Sequence, residues 1–401
     1  MQPALPCCPS LRHWPGILQE NVHTSCLLIF VTAQPGIGVG DSDGQLGSSF
    51  HDGLAVLGGN IVSDIGTVRF VAHHQHFQLL DLVDQSFFLK GSRTEASHKM
   101  ILLDNSQKLL TLYKSLASSI PESLKVYGSV YHINHGNPFN MEVLVDSWPD
   151  YQMVIIRPQK QEMTDDMDSY TNVYRIFSKD PQKSQEVLKN CEIINWKQRL
   201  RIQGLQESLD EGIRAAAFSN SVKVEYSRAG LFITEDILKL NASNKSKLES
   251  WVETGHPADE FESETLNLKY AQLDVSHSGL VNDNWNLGKN ERSLRYINRC
   301  IGALPTACML GPEGAPISWL TMDPSCEAGM AYSMEKYRRR GIMVQLMLRF
   351  RKYLRQNNIP YYFSKLDVNE KYRRFMGQYG GFEVSCGWHQ WTCYPQNLVP
   401  F

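Results

Sequence analysis

The run Tyr337-Arg338-Arg339-Arg340-Gly341-Ile342 carries the plainest chemical signal in the chain, because it falls where a strand gives way to an amphipathic helix. A helix start leaves its first backbone N–H groups unpaired and presents the positive end of the helix dipole. A pyrophosphate fits such a place. Gly341 removes the Cβ that would keep the backbone at a distance, and Arg338, Arg339 and Arg340 add positive charge. The same arginines could simply coat a solvated helix start, or form a nuclear localisation patch; the run alone does not choose. Glu327 lies upstream, at the head of the strand that feeds this junction. A carboxylate there could take a proton from an incoming amine, although a single glutamate at a strand start is more often surface decoration.

Other groupings are weaker. His73, His74 and His76 have a metal-ligating residue type, but no cysteine or carboxylate follows at helical spacing, and no metal site is expected. Gly36, Gly38 and Gly40 lack the preceding strand and following helix of a dinucleotide fingerprint. Cys326 with the distant His389 has the residue types of a thiol nucleophile and its base, yet a packed strand thiol is the plainer reading. Trp388 and Trp391 read as core or edge residues, with an aryl pocket as the lesser alternative.

These residues need elements to position them. From Met100 onward the pattern is regular. Leu109, Leu112, Tyr113 and Leu116 share one helical face. Met141–Val145 and Met153–Ile156 read as strands around a Trp148-Pro149-Asp150 turn. Asp180-Pro181 starts a helix. Trp196, Leu200, Leu205, Leu209 and Ile213 predict a second, longer helix, and Val222, Val224 and Tyr226 alternate as a strand. Asn241–Thr265 is polar and acidic, a linker or surface excursion. The last stretch then reads strand, helix, hairpin, strand, helix, strand, helix, strand. Its hairpin pairs Ala307–Leu310 with Pro316–Met322, and Glu327–Met334 is the next strand. Met343, Leu346, Met347, Phe350 and Leu354 form the stripe of the following helix, before a strand at Tyr361–Leu366.

At 401 residues the chain has room for two or three domains with proper cores. Apolar residues at 42% and charged residues at 20% are ordinary for a globular protein. A net charge of −2 excludes a global field drawing the chain to nucleic acid or anionic membrane, so an anionic ligand must meet a local basic cluster. The nine cysteines are scattered without zinc spacing and read as reduced thiols, as in an intracellular compartment. The longest apolar run, Cys26–Ala33, is too short to span a bilayer and lacks the flanks of a secretory signal, so the sequons at Asn241 and Asn244 should stay unmodified. Residues 1–99 show no sustained periodicity before about Phe70 and read as a poorly ordered extension.

Longer motifs carry a resemblance. Arg338-x-x-Gly341 after a strand resembles the acyl-CoA-binding motif of the GNAT superfamily, and the run Ser318–Arg338 resembles that of the glycine N-acyltransferases. Trp388-His-Gln-Trp-Thr-Cys393 resembles their Trp-Asn-Gln-Trp-x-Cys ending. The likeness runs from Met100 to Phe401 and is nearest to the glutamine-acylating branch of that family. It implies a tandem α+β protein: a family-specific domain over 100–265, then a GNAT-type catalytic domain over 266–401, with a central mixed sheet flanked by helices and parted to admit pantetheine. It implies Glu327 as general base, the amides around Arg338, Arg339, Arg340, Gly341 and Ile342 as the pyrophosphate cradle, and Asn369 as a partner of the pantetheine arm.

The activity implied is transfer of an aryl-acyl group, such as phenylacetyl or benzoyl, from acyl-CoA to the α-amino group of glutamine, or otherwise glycine. This is detoxifying amino acid conjugation. The resemblance points to a mitochondrial protein, with the cytoplasm as alternative. Acyl-CoA enters as co-substrate and a free amino acid as acceptor. No bound cofactor, metal, nucleic acid or membrane partner is expected, and the chain is expected to be a monomer. The sequence departs from the GNAT pattern twice: Met343 stands where a small residue ends the motif, and Met376 where many members place an acidic tyrosine. Those departures keep open a non-catalytic acyl-CoA-binding protein as the rival reading.

Overall fold

Asn105 opens the first helix: its side chain accepts from the N–H groups of Gln107 and Lys108, at 2.9 and 3.1 Å, satisfying two of the donors a helix start leaves open. The computed structural model describes residues 99–189, 193–241 and 268–398. The expected extension (save Lys99), the histidine cluster, the Gly36–Gly40 run, Cys26–Ala33, Asn244 and the acidic excursion beyond Asn241 lie outside the described residues.

Helix α1 (Ser106–Ala117) buries Leu109, Leu112 and Leu116, the stripe expected from their spacing. Helix α2 (Leu124–Asn134) is buried from Leu124 to His132, so even its Lys125 is taken out of solvent. Strands β1 (Ile101–Leu103), β2 (Met141–Val145), β3 (Met153–Pro158) and β4 (Val173–Ser178) pair antiparallel in that order, and β5 (Leu200–Gly204) joins β4 in parallel. Helix α3 begins at Pro181, as expected, and runs to Lys189. Helix α4 is Asp210–Ser219.

The helix expected over Trp196–Ile213 is therefore a correction. Leu200 and Ile202 alternate with Arg201 and Gln203, a period-two pattern with opposite faces buried in different surroundings, and residues 200–204 form β5. The near-helical spacing of Leu200, Leu205, Leu209 and Ile213, five residues and then four and four, is real burial spread over a strand, a turn and a helix.

Strand β6 (Val222–Thr234) is longer than the alternation at its start suggests. After it come the short α5 (Glu235–Leu238), β7 (Lys269–Ala271), α6 (Ser278–Asn284) and α7 (Glu291–Ala303). The expected hairpin follows as β8 (Thr306–Leu310) and β9 (Pro316–Met322), then β10 (Ala328–Ser333), α8 (Ile342–Gln356), β11 (Phe363–Lys365), α9 (Glu370–Gln378) and β12 (Gly381–Pro395). Strands β10-β9-β8-β7 form one antiparallel sheet; the other runs β1-β2-β3-β4-β5-β12-β6-β11.

That second order interleaves the halves of the chain. The late part of β12, His389–Cys393, lies between β5 and β6, while its early part, Gly381–Val384, pairs with Leu231–Thr234 of β6. Strand β6 in turn pairs with β11. Each half thus lends a long strand that fills the middle of the other's sheet. The register shifts between Val384 and Trp388, and Gly387 there has φ +74°, a left-handed value that suits glycine.

Among the described residues, one backbone bridge joins the two sheets. Glu327 bridges Tyr362 in parallel, with the Ala328 N–H donating to the Tyr362 carbonyl at 2.8 Å. Beyond it β10 pairs with β9 and β11 with β6, so the strands part and open a cleft.

Candidate active site

Glu327 stands at the vertex of that opening and is largely buried, with its side chain 14% exposed. Three elements hold its carboxylate. Oε2 accepts from the Lys125 ammonium of α2 and from Trp388 Nε1 of β12 at 3.0 Å, and Oε1 accepts from Ser364 Oγ of β11. Its own N–H donates to Asp323 Oδ1 at 3.0 Å. A carboxylate gripped on both oxygens keeps one orientation toward the cleft.

Lys125 is 1% exposed, and such burial of a charge requires partners. It has Glu327, Asp323 Oδ2 at 3.7 Å, and the faces of Tyr362 and Trp388, whose ring centres lie 5.6 and 5.4 Å away. Burial alone would raise the Asp323 carboxyl, but the charges of Lys125 and Arg175 and the donors of Ser325 and Glu327 hold it below the usual carboxylate range. Helix α2 can come this close because residue 128 is glycine. A Cβ there would lie 2.0 Å from the Ser325 carbonyl oxygen.

A cleft of about 970 Å³ opens between the parted strands. Arg338, Arg339, Gly341, Ile342 and Met343 line it together with Glu327, so the phosphate-cradle candidates and the base candidate share one cavity. Gly341 takes φ +70° as the residue before α8, a left-handed turn that aims the helix start. Met343 is half-buried in this wall.

Two expected residues fall elsewhere. Arg340 is exposed, with its guanidinium 6.0 Å from the Tyr337 ring centre, and does not line the cleft. Asn369 caps α9 by accepting from the Tyr372 N–H at 3.0 Å and also stands outside the cleft wall. The side chain that the resemblance assigned to the pantetheine arm is used here as a helix cap.

Cys326 and His389 do not meet. His389 binds the Tyr226 hydroxyl and the Cys386 carbonyl, both at 2.7 Å. Cys326 Sγ faces His132 Nε2 at 3.2 Å instead. Burial raises that thiol far above its ordinary value and holds His132 near 4, so the pair is neutral and unlike an activated nucleophile.

Several site residues gave no sequence signal. Lys125 and Ser364 have ordinary local contexts. Trp388 is a cleft residue, whereas Trp391 is wholly buried, as expected. Met376 is core, and Tyr372, one helical turn earlier, faces the cleft. Burial, and secondarily the Glu327 charge, raise the Tyr372 phenol, so it stays protonated at neutral pH. Asn241, the described sequon, is buried and donates to the carbonyls of Ser118 and Ile120 at 2.9 and 3.1 Å.

A sheet parted beside a glycine-initiated helix start, with a fixed carboxylate at the vertex, defines an acyltransferase class of site. Comparisons with known proteins agree. Residues 100–305 match the family model described as aralkyl acyl-CoA:amino acid N-acyltransferase, and residues 307–395 match its C-terminal region. The chain belongs to this family of acyl-CoA:amino acid N-acyltransferases. It is 81% identical over 302 residues to human glycine N-acyltransferase-like protein 1, covering 75% of this chain and all of the relative. It is 41% identical over 296 residues to the glycine N-phenylacetyltransferase of Bos taurus, covering 74% of this chain and all of that one. A solved Drosophila protein shares the fold at 12% identity with a TM-score of 0.57, covering 75% of this chain and 98% of its own.

Proposed function

We propose that this protein transfers an arylacyl group, phenylacetyl or benzoyl, from CoA to the α-amino group of glutamine, with glycine as the lesser acceptor. The observation that carries the reading is Glu327, oriented by Lys125, Ser364 and Trp388 in the same cleft as Arg338, Arg339 and Gly341. The amino acid arrives as an ammonium ion, which has no lone pair for attack. Glu327 removes one proton, the freed amine adds to the thioester carbonyl, and the tetrahedral intermediate gives up the second nitrogen proton to water as it collapses to an amide and CoA thiolate. Strand β10 breaks register between Gly329 and Tyr332, with Met330 at φ +50°, and these residues line the cleft. Their N–H groups serve the oxyanion in this reading. Tyr372, protonated and facing the cleft, returns a proton to the leaving thiolate.

Two features favour an aryl donor and an amide-bearing acceptor. Tyr170, Trp285 and Tyr296 cluster in the cleft wall with ring centres 5.9–6.4 Å apart. Gln203 and Gln390 also face the cleft, joined at 2.9 Å, and the buried Gln203 Oε1 has no partner among the described residues. A donor hydrogen from a substrate amide would satisfy it, and glycine would not. The relative in Bos taurus named for phenylacetyl transfer supports the donor class.

The test is CoA release with phenylacetyl-CoA, benzoyl-CoA and acetyl-CoA against a panel of amino acids. We expect phenylacetyl-CoA with glutamine to exceed phenylacetyl-CoA with glycine in kcat/KM by about tenfold or more, the discrimination that one unpaired buried polar group supplies. A preference for glycine would overturn the acceptor. Binding of acyl-CoA without release by any amino acid would leave a binding protein in its place.

A further inference from the structure

Positive charge also stands in the cleft well apart in sequence from the α8 cradle. Arg175 of β4 and Arg201 of β5 both line it. They lie on one face of the sheet: Arg175 is opposite Gln203, Gln203 is opposite Gln390, and Arg201 is opposite Val173, one step further along. Arg175 is 4% exposed, and its Nε has no partner among the described residues; Nη1 makes a weak contact to Met141 Sδ at 3.7 Å. The Arg201 Nε likewise has no partner among the described residues, and its guanidinium lies 4.6 Å from the ring centre of Tyr170, whose hydroxyl is its neutral partner. Among the described residues neither has a carboxylate within ion-pair distance.

An unpaired buried charge costs several kcal/mol, and here a buried guanidinium, Arg175, and a half-buried one, Arg201, face one cavity. Among the described residues that line the cleft the only carboxylates are Asp323 and Glu327, and Lys125 is already paired with both. Asp323 is already taken by the Ser325 hydroxyl and N–H, at 2.6 and 2.7 Å, and by the Glu327 N–H. Burial without a counter-charge also holds the Arg201 guanidinium below the ordinary arginine value. This is the pattern of a site awaiting a small anion.

Resting on the reading above, we infer that Arg175 and Arg201 bind the α-carboxylate of the acceptor amino acid. A free amino acid carries its ammonium and carboxylate on one carbon, and this cleft offers a fixed carboxylate and guanidiniums. The two ends share one cavity, which Arg175, Arg201, Asp323 and Glu327 all line, and Asp323 holds the Glu327 N–H at 3.0 Å. Placing the carboxylate on the sheet brings the ammonium toward Glu327 and restricts acceptors to free α-amino acids. Amines, peptide N-termini and amino acid amides lack the anion and are refused. CoA phosphates are served separately by the exposed cradle at α8.

The experiment uses the full chain with phenylacetyl-CoA and compares glutamine with its α-carboxamide. The wild-type protein should favour the acid by about tenfold or more. Arg175→Gln and Arg201→Gln should each raise KM for glutamine by about 10- to 100-fold and leave KM for acyl-CoA unchanged. Both should also erase the preference for the acid, an effect that general misfolding would not produce. Arg175→Lys should keep part of that preference, because charge survives and the planar fork does not. Equal use of acid and amide by the wild type would overturn the inference, as would a rise in KM for acyl-CoA alone. Calorimetric binding, which needs no turnover, separates this inference from the activity. A protein that binds glutamine and not its α-amide, yet releases no CoA, keeps the carboxylate site and loses the reaction. A protein that turns over both equally keeps the reaction and loses the site.

Discussion

Glu327 draws its partners from across the chain: Lys125 is 202 positions away, Trp388 is 61 and Ser364 is 37. Glu327→Gln should preserve the shape of the cleft and acyl-CoA binding, because the amide keeps one acceptor and Lys125 keeps Asp323. The kcat should fall by about 10²–10⁴-fold, the usual worth of a positioned base. The deficit should shrink as pH rises and free amine becomes available, so a pH–rate profile parallel to the wild type would remove Glu327 from the proton transfer. Tyr372→Phe tests the acid. It should lower kcat by on the order of 10-fold to 100-fold while sparing both KM values, less than the base variant because CoA thiolate leaves fairly well unaided. Unchanged turnover across pH 6–9, a span of about three units around the neutral reference, would assign the proton to solvent. The carboxylate itself was legible in the sequence, as was its strand. Its grip was not, since Lys125 is an isolated lysine in an apolar helix and nothing local says that it turns inward to an anion.

At the scale of elements, legibility followed the origin of each pattern. The hairpin β8–β9, the helix α8 and the early strands were readable because one buried face imposes one period. Residues 196–213 misled because β5 is buried on one face and lines a polar cleft on the other, so its apolar residues mimic a helical stripe with their neighbours. The approach of α2 to the Asp323–Glu327 turn was equally hidden, although a glycine marks it. Gly128→Ala would place its Cβ 2.0 Å from the Ser325 carbonyl oxygen, where rigid backbone must give way. Helix α2 should shift outward and draw Lys125 from Glu327. We expect a loss of about 1–3 kcal/mol of stability, as for overpacking elsewhere, together with a drop in kcat greater than the rise in either KM. A variant with wild-type melting and kcat would show that the helix moves freely against that turn.

At the scale of the whole molecule, the exchange of long strands makes the halves one folding unit. Local patterning of β6 and β12 announces strands, but the partner of each lies in the other half, and pairing across such a distance leaves no mark in composition. Strand β12 delivers Trp391 and Cys393, both fully buried, into the core beneath α3 and α4, where Trp391 Nε1 donates to Asp210 Oδ1 at 2.6 Å. Truncating a buried tryptophan costs about 3–5 kcal/mol, against a total stability of about 5–15 kcal/mol for a typical domain. Losing the whole strand also strips the ladders from β5 and β6 in mid-sheet. Residues 100–265 expressed alone should therefore fail to form a monomeric fold, and their bare strand edges should drive association. The same residues expressed together with 266–401 as a second chain should recover a soluble one-to-one complex that releases CoA. Size-exclusion chromatography with near-ultraviolet circular dichroism reads the outcome. A monomeric 100–265 fragment with native-like aromatic signals would mean that β12 is an addition to a sheet already complete, and the halves would then be separate domains that happen to touch.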